Sequence, residues 1–271
     1  MKYLHLYFLV VILVICACNN ACTLSNKSTI QDNSLVTIQN RGTLLVGTTG
    51  DYRPLTYRDS TSGAYWGFDL EVAQRISERL NVPIMYVQTS WPTLTKDVLN
   101  NTLFDLAIGG ITITDARKAQ MDMSDGYLVN GKTILCRKKD ARKYRNLTDI
   151  DKPTVKVMVN PGGLNEKFAN AILSHATIVV YPKNEEIPEQ VAIGNADVMI
   201  TEITEAPYYV KRDHRLAAPL LDKPFTHGEI GILMRRGQAD LLQMVNAVIA
   251  EMKKDGSLRK LHEKYGLSYG Y

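Results

Sequence analysis

The sequence predicts an α/β fold with two lobes, and three features carry that prediction. Short apolar runs alternate with apolar residues at helical spacing over residues 43–114. The same alternation begins again at Val155 and continues to Ile200. Two further strand-like stretches, residues 132–136 and 225–234, are predicted to run between the two lobes. Alternation of this kind indicates a mainly parallel sheet in each lobe, and two strands crossing between lobes leave a ligand cleft.

The first set of elements belongs to lobe 1. Its predicted strands are residues 43–47, 83–87 and 104–108. Between the first two, Ala73, Ile76 and Leu80 recur at helical spacing after Asp69, which we expect to cap that helix. A further helix is predicted around Leu94. Residues 48–54 are predicted to be the loop after the first strand, and residues 65–69 a second, aromatic-rich loop.

The second set repeats this arrangement in lobe 2. Its predicted strands are residues 155–159, 177–181 and 198–200. Helices are predicted through Ile172 and over residues 187–193. The C-terminal region carries one apolar helical stripe, formed by Leu241, Val245, Val248, Ile249 and Met252. We therefore assign residues 42–133 and 225–271 to a discontinuous lobe 1, and residues 134–224 to lobe 2.

The start of the chain predicts export. Residues 1–17 contain an apolar run that is too short to span a membrane, since a spanning helix needs ~20 apolar residues. The run ends at Ile15-Cys16-Ala17-Cys18, which resembles a lipoprotein box with Cys18 as the acylated residue. A plain signal peptide is the alternative. Residues 18–41 are predicted to be a flexible spacer, and the location periplasmic or cell-envelope.

Composition limits the classes of function. The net charge of +4 over 271 residues is mild, and no basic block with interleaved aromatics appears, so nucleic-acid binding is not expected. The five histidines are scattered without metal-ligand spacing, and neither a metal nor an organic cofactor is expected. Cys136 stands alone in the body of the chain, which leaves no disulfide framework there.

Residues 197–206 place two carboxylates at the predicted end of a strand. Glu202 and Glu205 are three residues apart, which would put them on one face of a first helical turn. A carboxylate there can bind an ammonium group or donate a proton, and that choice separates a carrier from an enzyme. Alternatively, both side chains simply favour a helix N-terminus.

Two other stretches suit an anionic ligand. Thr112, Thr114 and Arg117 follow a strand, and Arg binds carboxylates bidentately, although Thr114 could instead cap a helix and Arg117 be solvated. Gly162 and Gly163 lie in a turn at a helix start, where free N–H groups favour an anion, although a plain tight turn fits equally.

Aromatic and cationic residues complete the candidates. Tyr52, Tyr65 and Trp66 offer flat surfaces for a ring or an aliphatic chain, unless they belong to the core. Lys132 lies at the proposed hinge, where spacing alone indicates a surface charge.

From about residue 42 onward the chain resembles the periplasmic polar-amino-acid-binding proteins of ABC transporters. The motif G-G-I-T-I-T-D-A-R carries this resemblance. It implies a two-lobed periplasmic-binding-protein-like fold, with Gly110, Thr112 and Arg117 on the α-carboxylate of a ligand. Glu202 falls where that family places an Asp that holds the α-ammonium group.

Five segments also look like cyclohexadienyl dehydratase, an enzyme family with the same fold: T-T-G-D-Y-R-P, G-G-I-T-I-T, Y-L-V-N-G-K-T, V-N-P-G-G-L-N-E and A-D-V-M-I-T-E-I-T-E-A. This resemblance implies Glu205 as general acid and Lys132 as a catalytic or orienting cation. The substrate contacts it implies are Asp51, Tyr52, Trp66, Gly110, Thr112, Arg117, Asn160, Gly162, Gly163 and Glu202. The chain departs from the family pattern at Asn130, Leu164 and Glu202.

The resemblance therefore implies a cofactor-independent dehydratase-decarboxylase. It would convert prephenate or arogenate to phenylpyruvate or phenylalanine with release of water and CO2. The alternative is an amino-acid-binding lipoprotein that delivers its ligand to an ABC permease. In either case the partner expected is a small carboxylate, with the membrane reached through the anchor at Cys18.

Overall fold

Two five-stranded sheets organise the chain, one in each lobe. The computed structural model describes residues 32–100 and 103–267. Its strands are β1 (Leu44–Thr48), β2 (Asp51–Tyr52), β3 (Thr56–Arg58), β4 (Tyr65–Trp66), β5 (Ile84–Gln88), β6 (Leu106–Ala107), β7 (Asp122–Met123), β8 (Leu128–Asn130), β9 (Lys132–Arg137), β10 (Lys156–Val159), β11 (Thr177–Val180), β12 (Val198–Glu202), β13 (Leu216–Ala217), β14 (Gly228–Ile230) and β15 (Leu233–Met234).

Helices cover both sheets. They are α1 (Ser34–Arg41), α2 (Phe68–Leu80), α3 (Leu94–Asn100), α4 (Asp115–Lys118), α5 (Leu147–Ile150), α6 (Leu164–Ile172), α7 (Ile187–Ile193), α8 (Ala206–Arg212), α9 (Ala239–Lys254) and α10 (Ser257–Tyr265). Two short 3-10 helices, Lys138–Lys143 and Asn184–Glu186, lie in lobe 2. The alternation of strands and helices predicted from the sequence is thus present in both lobes.

The two sheets share one topology. Lobe 1 has the strand order β5-β1-β6-β15-β7, and lobe 2 has the order β11-β10-β12-β9-β13. The first three strands of each sheet are parallel, whereas the fourth is antiparallel to both of its neighbours. Each sheet is therefore mixed, with four of its five strands running in one direction and one strand reversed. The reason is that each antiparallel strand enters its sheet directly after the chain has crossed from the other lobe.

The crossing itself is a two-stranded ribbon. β8 and β14 pair antiparallel, with Asn130 opposite Gly228 and Leu128 opposite Ile230. Immediately after β8, β9 joins the sheet of lobe 2, where Lys132 lies opposite Glu202. The predicted boundary after residue 133 therefore falls two residues inside the second sheet.

A small three-stranded sheet, β2-β3-β4, occupies a region that we predicted to be loops. Asp51 pairs with Tyr57, and Arg58 pairs with Tyr65. The strands are only two or three residues long and carry no apolar alternation, so periodicity could not indicate them.

The core of lobe 1 lies between its sheet and helices α2, α9 and α10. The stripe predicted on the C-terminal helix is buried there, since Leu241, Val245, Val248, Ile249 and Met252 are at most 4% exposed. Asp69 is not the cap of α2, which begins after Gly67. Its carboxylate is buried instead, where it accepts hydrogen bonds from Gly110 N (2.5 Å) and Tyr127 Oη (3.0 Å).

Helix α1 corrects the predicted spacer. Residues 34–41 are helical, and Ile38 is fully buried in the core of lobe 1. Only one apolar side chain of this helix is buried, and most of the neighbouring residues in the sequence are polar, which is why composition favoured a linker. Signal peptide, acylated Cys18 and the remainder of the spacer lie outside the described residues. Within the described ranges, no helix is long and apolar enough to cross a membrane.

Candidate functional site

A cavity lies between the lobes at the ends of the central strands. About 310 Å³ of space there is free of protein atoms, a volume that includes the open solvent at its mouth. Its lining comes from both lobes and comprises Tyr52, Trp91, Gly110, Thr112, Arg117, Lys132, Asn160, Gly163, Leu164, Asn165 and Glu202. Eight of these residues belong to the set proposed from the sequence.

Lobe 1 supplies the anion-binding side of the cavity. Gly110 has a φ of +74°, and a side chain there would meet the Tyr52 ring at 2.2 Å, so only glycine fits. Its N–H is held by Asp69, which fixes the loop that leads to Thr112. This loop therefore presents its backbone and the Thr112 hydroxyl to the cavity from a rigid base.

Arg117 reaches the cavity from helix α4. Its Nη1 donates to the Thr112 carbonyl at 2.6 Å, and burial lowers the pKa of the guanidinium. Thr114 caps α4, because its hydroxyl accepts a hydrogen bond from Arg117 N at 3.3 Å. The structural interpretation therefore holds for Thr114, which is a helix cap. The ligand-binding interpretation fits Arg117, which lines the cavity and is not a solvated charge.

Lys132 and Glu202 form a buried ion pair on the floor of the cavity. Their residues face each other across β9 and β12, and Lys132 Nζ lies 2.5 Å from Glu202 Oε1. Lys132 Nζ also donates to Asn165 Oδ1 at 2.6 Å. Lys132 is 6% exposed, so spacing alone misjudged it as a surface charge.

The carboxylate of Glu202 is saturated by donors from the protein. Besides Lys132, it accepts hydrogen bonds from the Tyr52 hydroxyl and, at 3.4 Å, from the Thr112 hydroxyl. Burial acts to raise the pKa of Glu202, but the charge and hydrogen bond of Lys132, together with Tyr52, hold it below its ordinary value. The resemblance placed a ligand ammonium at Glu202, yet in this structure Lys132 Nζ occupies that place.

Glu205 lies apart from Glu202, contrary to the shared helical face that we predicted. Glu202 is the last residue of β12, whereas Glu205 precedes helix α8 and sends its carboxyl to Thr201 Oγ1 (2.5 Å). Neighbouring strand residues point to opposite faces, so Thr201 and Glu202 diverge and Glu205 follows Thr201. Glu205 is fully buried and does not line the cavity.

The environment of Glu205 favours its neutral form. Burial raises the pKa of Glu205 to about 8, and the nearby charges of Glu202 and Asp51 act in the same direction. Hydrogen bonds from Thr201 and from Asn184 Nδ2, at 2.9 Å, oppose this rise. A carboxyl group with these surroundings holds a proton at neutral pH.

The glycine-bearing turn before α6 closes the cavity from lobe 2. Asn160 and Gly163 line the cavity, and Asn160 Oδ1 accepts from Asn165 Nδ2 at 3.5 Å. Gly162 does not line it. Its N–H donates to Glu166 Oε2 at 2.5 Å, and its Cα faces Pro92 of lobe 1.

The aromatic wall differs from the one predicted. Tyr52 lines the cavity and packs edge-on against Trp91, with ring centroids 5.8 Å apart. Trp66 lies outside the lining and packs on Tyr57 instead. Asp51 is also outside the lining, where it accepts from Trp91 Nε1 at 3.0 Å.

Three lining residues were not predicted as site residues: Leu164, which the sequence analysis named only as a departure from the family pattern, and Trp91 and Asn165. Trp91 lies three residues after the end of strand β5, and an aromatic residue in the loop at a strand's carboxyl end is the signal that could have indicated it. Asn165 carried no such signal, because its role depends on Lys132, which is distant in sequence.

Known proteins resemble this chain over most of its length. The model of the bacterial extracellular solute-binding proteins, family 3, matches residues 44–268. The chain is 38% identical over 235 residues to cyclohexadienyl dehydratase of Pseudomonas aeruginosa, covering 87% of each protein.

Solved structures agree with this fold. The ancestral amino-acid-binding protein AncCDT-1, a precursor of cyclohexadienyl dehydratase, superposes with a TM-score of 0.79 at 37% identity, covering 86% of this chain and 98% of that one. An ancestral cyclohexadienyl dehydratase, AncCDT-3, is 50% identical, with a TM-score of 0.53 and coverage of 85% and 95%. The two-lobed α/β fold predicted from the sequence is thereby confirmed.

Proposed function

We propose that this chain, which belongs to the bacterial extracellular solute-binding proteins of family 3, is an enzyme that carries out its reaction in the cleft between the lobes. The proposed activity is a cofactor-independent dehydration and decarboxylation of prephenate, arogenate or both. The relative named cyclohexadienyl dehydratase supports this assignment. A member of an extracellular family also fits the periplasmic or cell-envelope location predicted from the sequence.

One observation carries the proposal. The cavity's lining carboxylate, Glu202, is already paired with Lys132, while a second carboxyl, Glu205, is buried close by with its pKa raised to about 8. A carrier of amino acids needs a free carboxylate for the ligand's ammonium group and has no use for a buried acid. An enzyme that protonates a leaving hydroxide needs the acid.

The charge of the lining suits a substrate with carboxylates. Arg117 and Lys132 contribute two positive charges and Glu202 one negative charge, so the lining residues leave a net charge of +1. We assign Arg117, with the Thr112 hydroxyl and the Gly110 backbone, to the side-chain carboxylate of the substrate. Tyr52 and Trp91 would cover the ring, since flat side chains pack well against it.

The reaction balances with one proton. Glu205 protonates the ring hydroxyl, the C–O bond breaks, and water leaves. The bond from the ring to its carboxylate breaks as well, and its electron pair completes the aromatic ring as CO2 departs. Prephenate and one proton thus give phenylpyruvate, CO2 and water, and Glu205 regains its proton from solvent between turnovers.

A single assay tests the proposal. Purified protein lacking residues 1–31 is incubated with prephenate, and phenylpyruvate is followed by its absorbance in alkali. Turnover well above the spontaneous rate is expected. If the protein instead binds amino acids tightly by calorimetry and forms no phenylpyruvate or phenylalanine, it is a binding protein, as the likeness to AncCDT-1 would then indicate.

A further inference from the structure

Asn184 lies between the buried acid and the opposite lobe. It begins the 3-10 helix Asn184–Glu186 in lobe 2 and is 2% exposed. Its Nδ2 group donates to Glu205 Oε1 at 2.9 Å and to the Asp51 carbonyl of lobe 1 at 3.1 Å. One amide group therefore joins the acid to strand β2 across the cleft.

The oxygen of the same amide contributes no hydrogen bond. Asn184 Oδ1 is buried and has no hydrogen-bond partner within the described ranges. A buried polar atom without a hydrogen-bond partner is unfavourable. The interactions made by the other end of the amide must therefore offset the cost of the unpaired Asn184 oxygen. In Asn184 that other end is the NH2 group, whose two hydrogens both serve the Glu205–Asp51 bridge.

We infer that Asn184 is a positioning residue for Glu205: it fixes Oε1 of the acid when the lobes are closed and leaves Oε2 to carry the proton. This inference rests on the dehydratase activity proposed above. The second hydrogen bond reaches Asp51 in the other lobe, so the complete bridge exists only in the closed molecule. Because the two carboxyl oxygens of Glu205 share one plane about Cδ, holding Oε1 also fixes the direction in which Oε2 presents its proton.

Other groups also act on Glu205 and have to be counted. Thr201 and Glu202 of β12, Asp51 and Tyr52 of β2, and Tyr209 of α8 all face it. Among these neighbours the carboxylates of Glu202 and Asp51 favour the protonated acid, whereas the hydrogen bonds of Thr201 and Asn184 favour the ionised form. Loss of the Asn184 donor should therefore move the titration of Glu205 to higher pH.

The test compares Asn184→Leu with Asn195→Leu. Asn195 is an exposed residue of the same lobe, bonded to Gln190 at 2.7 Å, and serves as the matched control. With prephenate, Asn184→Leu is expected to lower kcat roughly 10- to 100-fold, since misplacement of a reacting group costs that much. KM should change little, and the basic limb of the kcat profile should move to higher pH. Asn195→Leu should match the wild type.

A second readout is independent of turnover. Protein labelled with 13C at the glutamate carboxyl carbons is titrated by NMR, and the Glu205 resonance is identified by its absence in Glu205→Gln. The midpoint should rise by about one pH unit in Asn184→Leu, because a hydrogen bond to the charged form is lost. Asn184→Asp keeps the shape, adds a negative charge and should raise the midpoint further.

The outcomes separate the two proposals. If the wild type shows no turnover, the dehydratase assignment fails, and the NMR titration still decides the role of Asn184. An unchanged midpoint in both Asn184 variants overturns the inference, as does a loss of kcat without any shift in the pH profile. If Asn184→Leu does not fold, as judged by thermal melting, Asn184→Asp is read alone by the same criteria.

Discussion

Glu202 and Glu205 are three residues apart, yet the fold gives them opposite protonation. Glu202 keeps its charge because the Lys132 ammonium lies 2.5 Å away. Glu205 has only neutral hydrogen-bond donors and two carboxylates nearby, and burial raises its pKa to about 8. Two carboxyl groups in different environments can therefore serve as a fixed charge and as an acid.

Glu205→Gln tests the acid directly. The substitution keeps the shape of the side chain and removes its proton, so kcat with prephenate should fall by ~10²–10⁴-fold while KM changes little. Steady-state kinetics measures both constants. Glu78→Gln, an exposed glutamate on helix α2, is the control and should leave kcat unchanged. Near-normal kcat in Glu205→Gln would remove Glu205 from the chemistry.

The same carboxyl should make stability fall as pH rises. Between the ordinary pKa of a glutamate and the raised value of about 8, Glu205 is protonated in the folded protein and ionised in the unfolded chain. The contribution of Glu205 to the free energy of unfolding is thus complete below about pH 4.5. It is lost as the pH rises towards 8, by up to about 1.4 kcal/mol per pH unit. Urea unfolding from pH 5 to 8 should show a steeper decline for the wild type than for Glu205→Gln, and parallel curves would contradict the assignment.

At the scale of elements, periodicity decided what the sequence could predict. Helix α7 was predicted with its observed bounds, and the strands of both sheets lie within a few residues of predicted strands, except β7 and β13, which were not predicted. Strands β2 to β4 and helix α1 were missed, because two-residue strands and a helix with one buried apolar side chain carry no repeat.

The residues of the candidate site likewise differ in how far the local sequence could predict them. Gly110, Thr112 and Arg117 were predictable because they follow one strand in one motif. The pairing of Lys132 with Glu202 and the exclusion of Trp66 were not, since both depend on contacts between distant segments. Glu205 was expected beside Glu202, but the strand continues through Glu202 and sends the two side chains in different directions.

Helix α1 should be part of the folded unit. Ile38 is fully buried, so Ile38→Ala is expected to lower the free energy of unfolding by ~2–5 kcal/mol, through lost transfer energy and a cavity. Val36 lies on the same helix but is 57% exposed, and Val36→Ala should change stability by no more than ~0.5 kcal/mol. Urea denaturation measures both. If the two substitutions lowered the free energy of unfolding equally, burial of Ile38 would contribute nothing to the stability of lobe 1.

At the scale of the whole molecule, this structure is the closed form. Tyr52 reaches Glu202 and Asn184 reaches Asp51 across the cleft. Gly162 packs on Pro92, and a Cβ added at Gly162 would lie 2.6 Å from Pro92 Cα. Such closure excludes water from the cavity and brings the anion-binding side to the acid.

Gly162→Ala should therefore open the cleft. Gly162 has a φ of +75°, and Gly194, with a φ of +92°, shares the backbone strain but meets only Arg137 Nη1 at 3.8 Å. Gly194→Ala is thus the matched control for strain without a clash between lobes. Small-angle X-ray scattering should give a larger radius of gyration for Gly162→Ala alone, and its turnover should fall. Equal radii for both variants would contradict closure through this contact.

The mixed topology also bears on the order in which the lobes can be completed during synthesis. Every strand of the second sheet, from β9 to β13, comes from one continuous stretch that ends at Ala217. The first sheet needs β15, which sits between β6 and β7 but is not made until Met234. Strand β7 consequently has no sheet partner until more than a hundred later residues have been added. Although lobe 1 is begun first, we expect lobe 2 to finish folding before it, which reverses the usual order from the N-terminus.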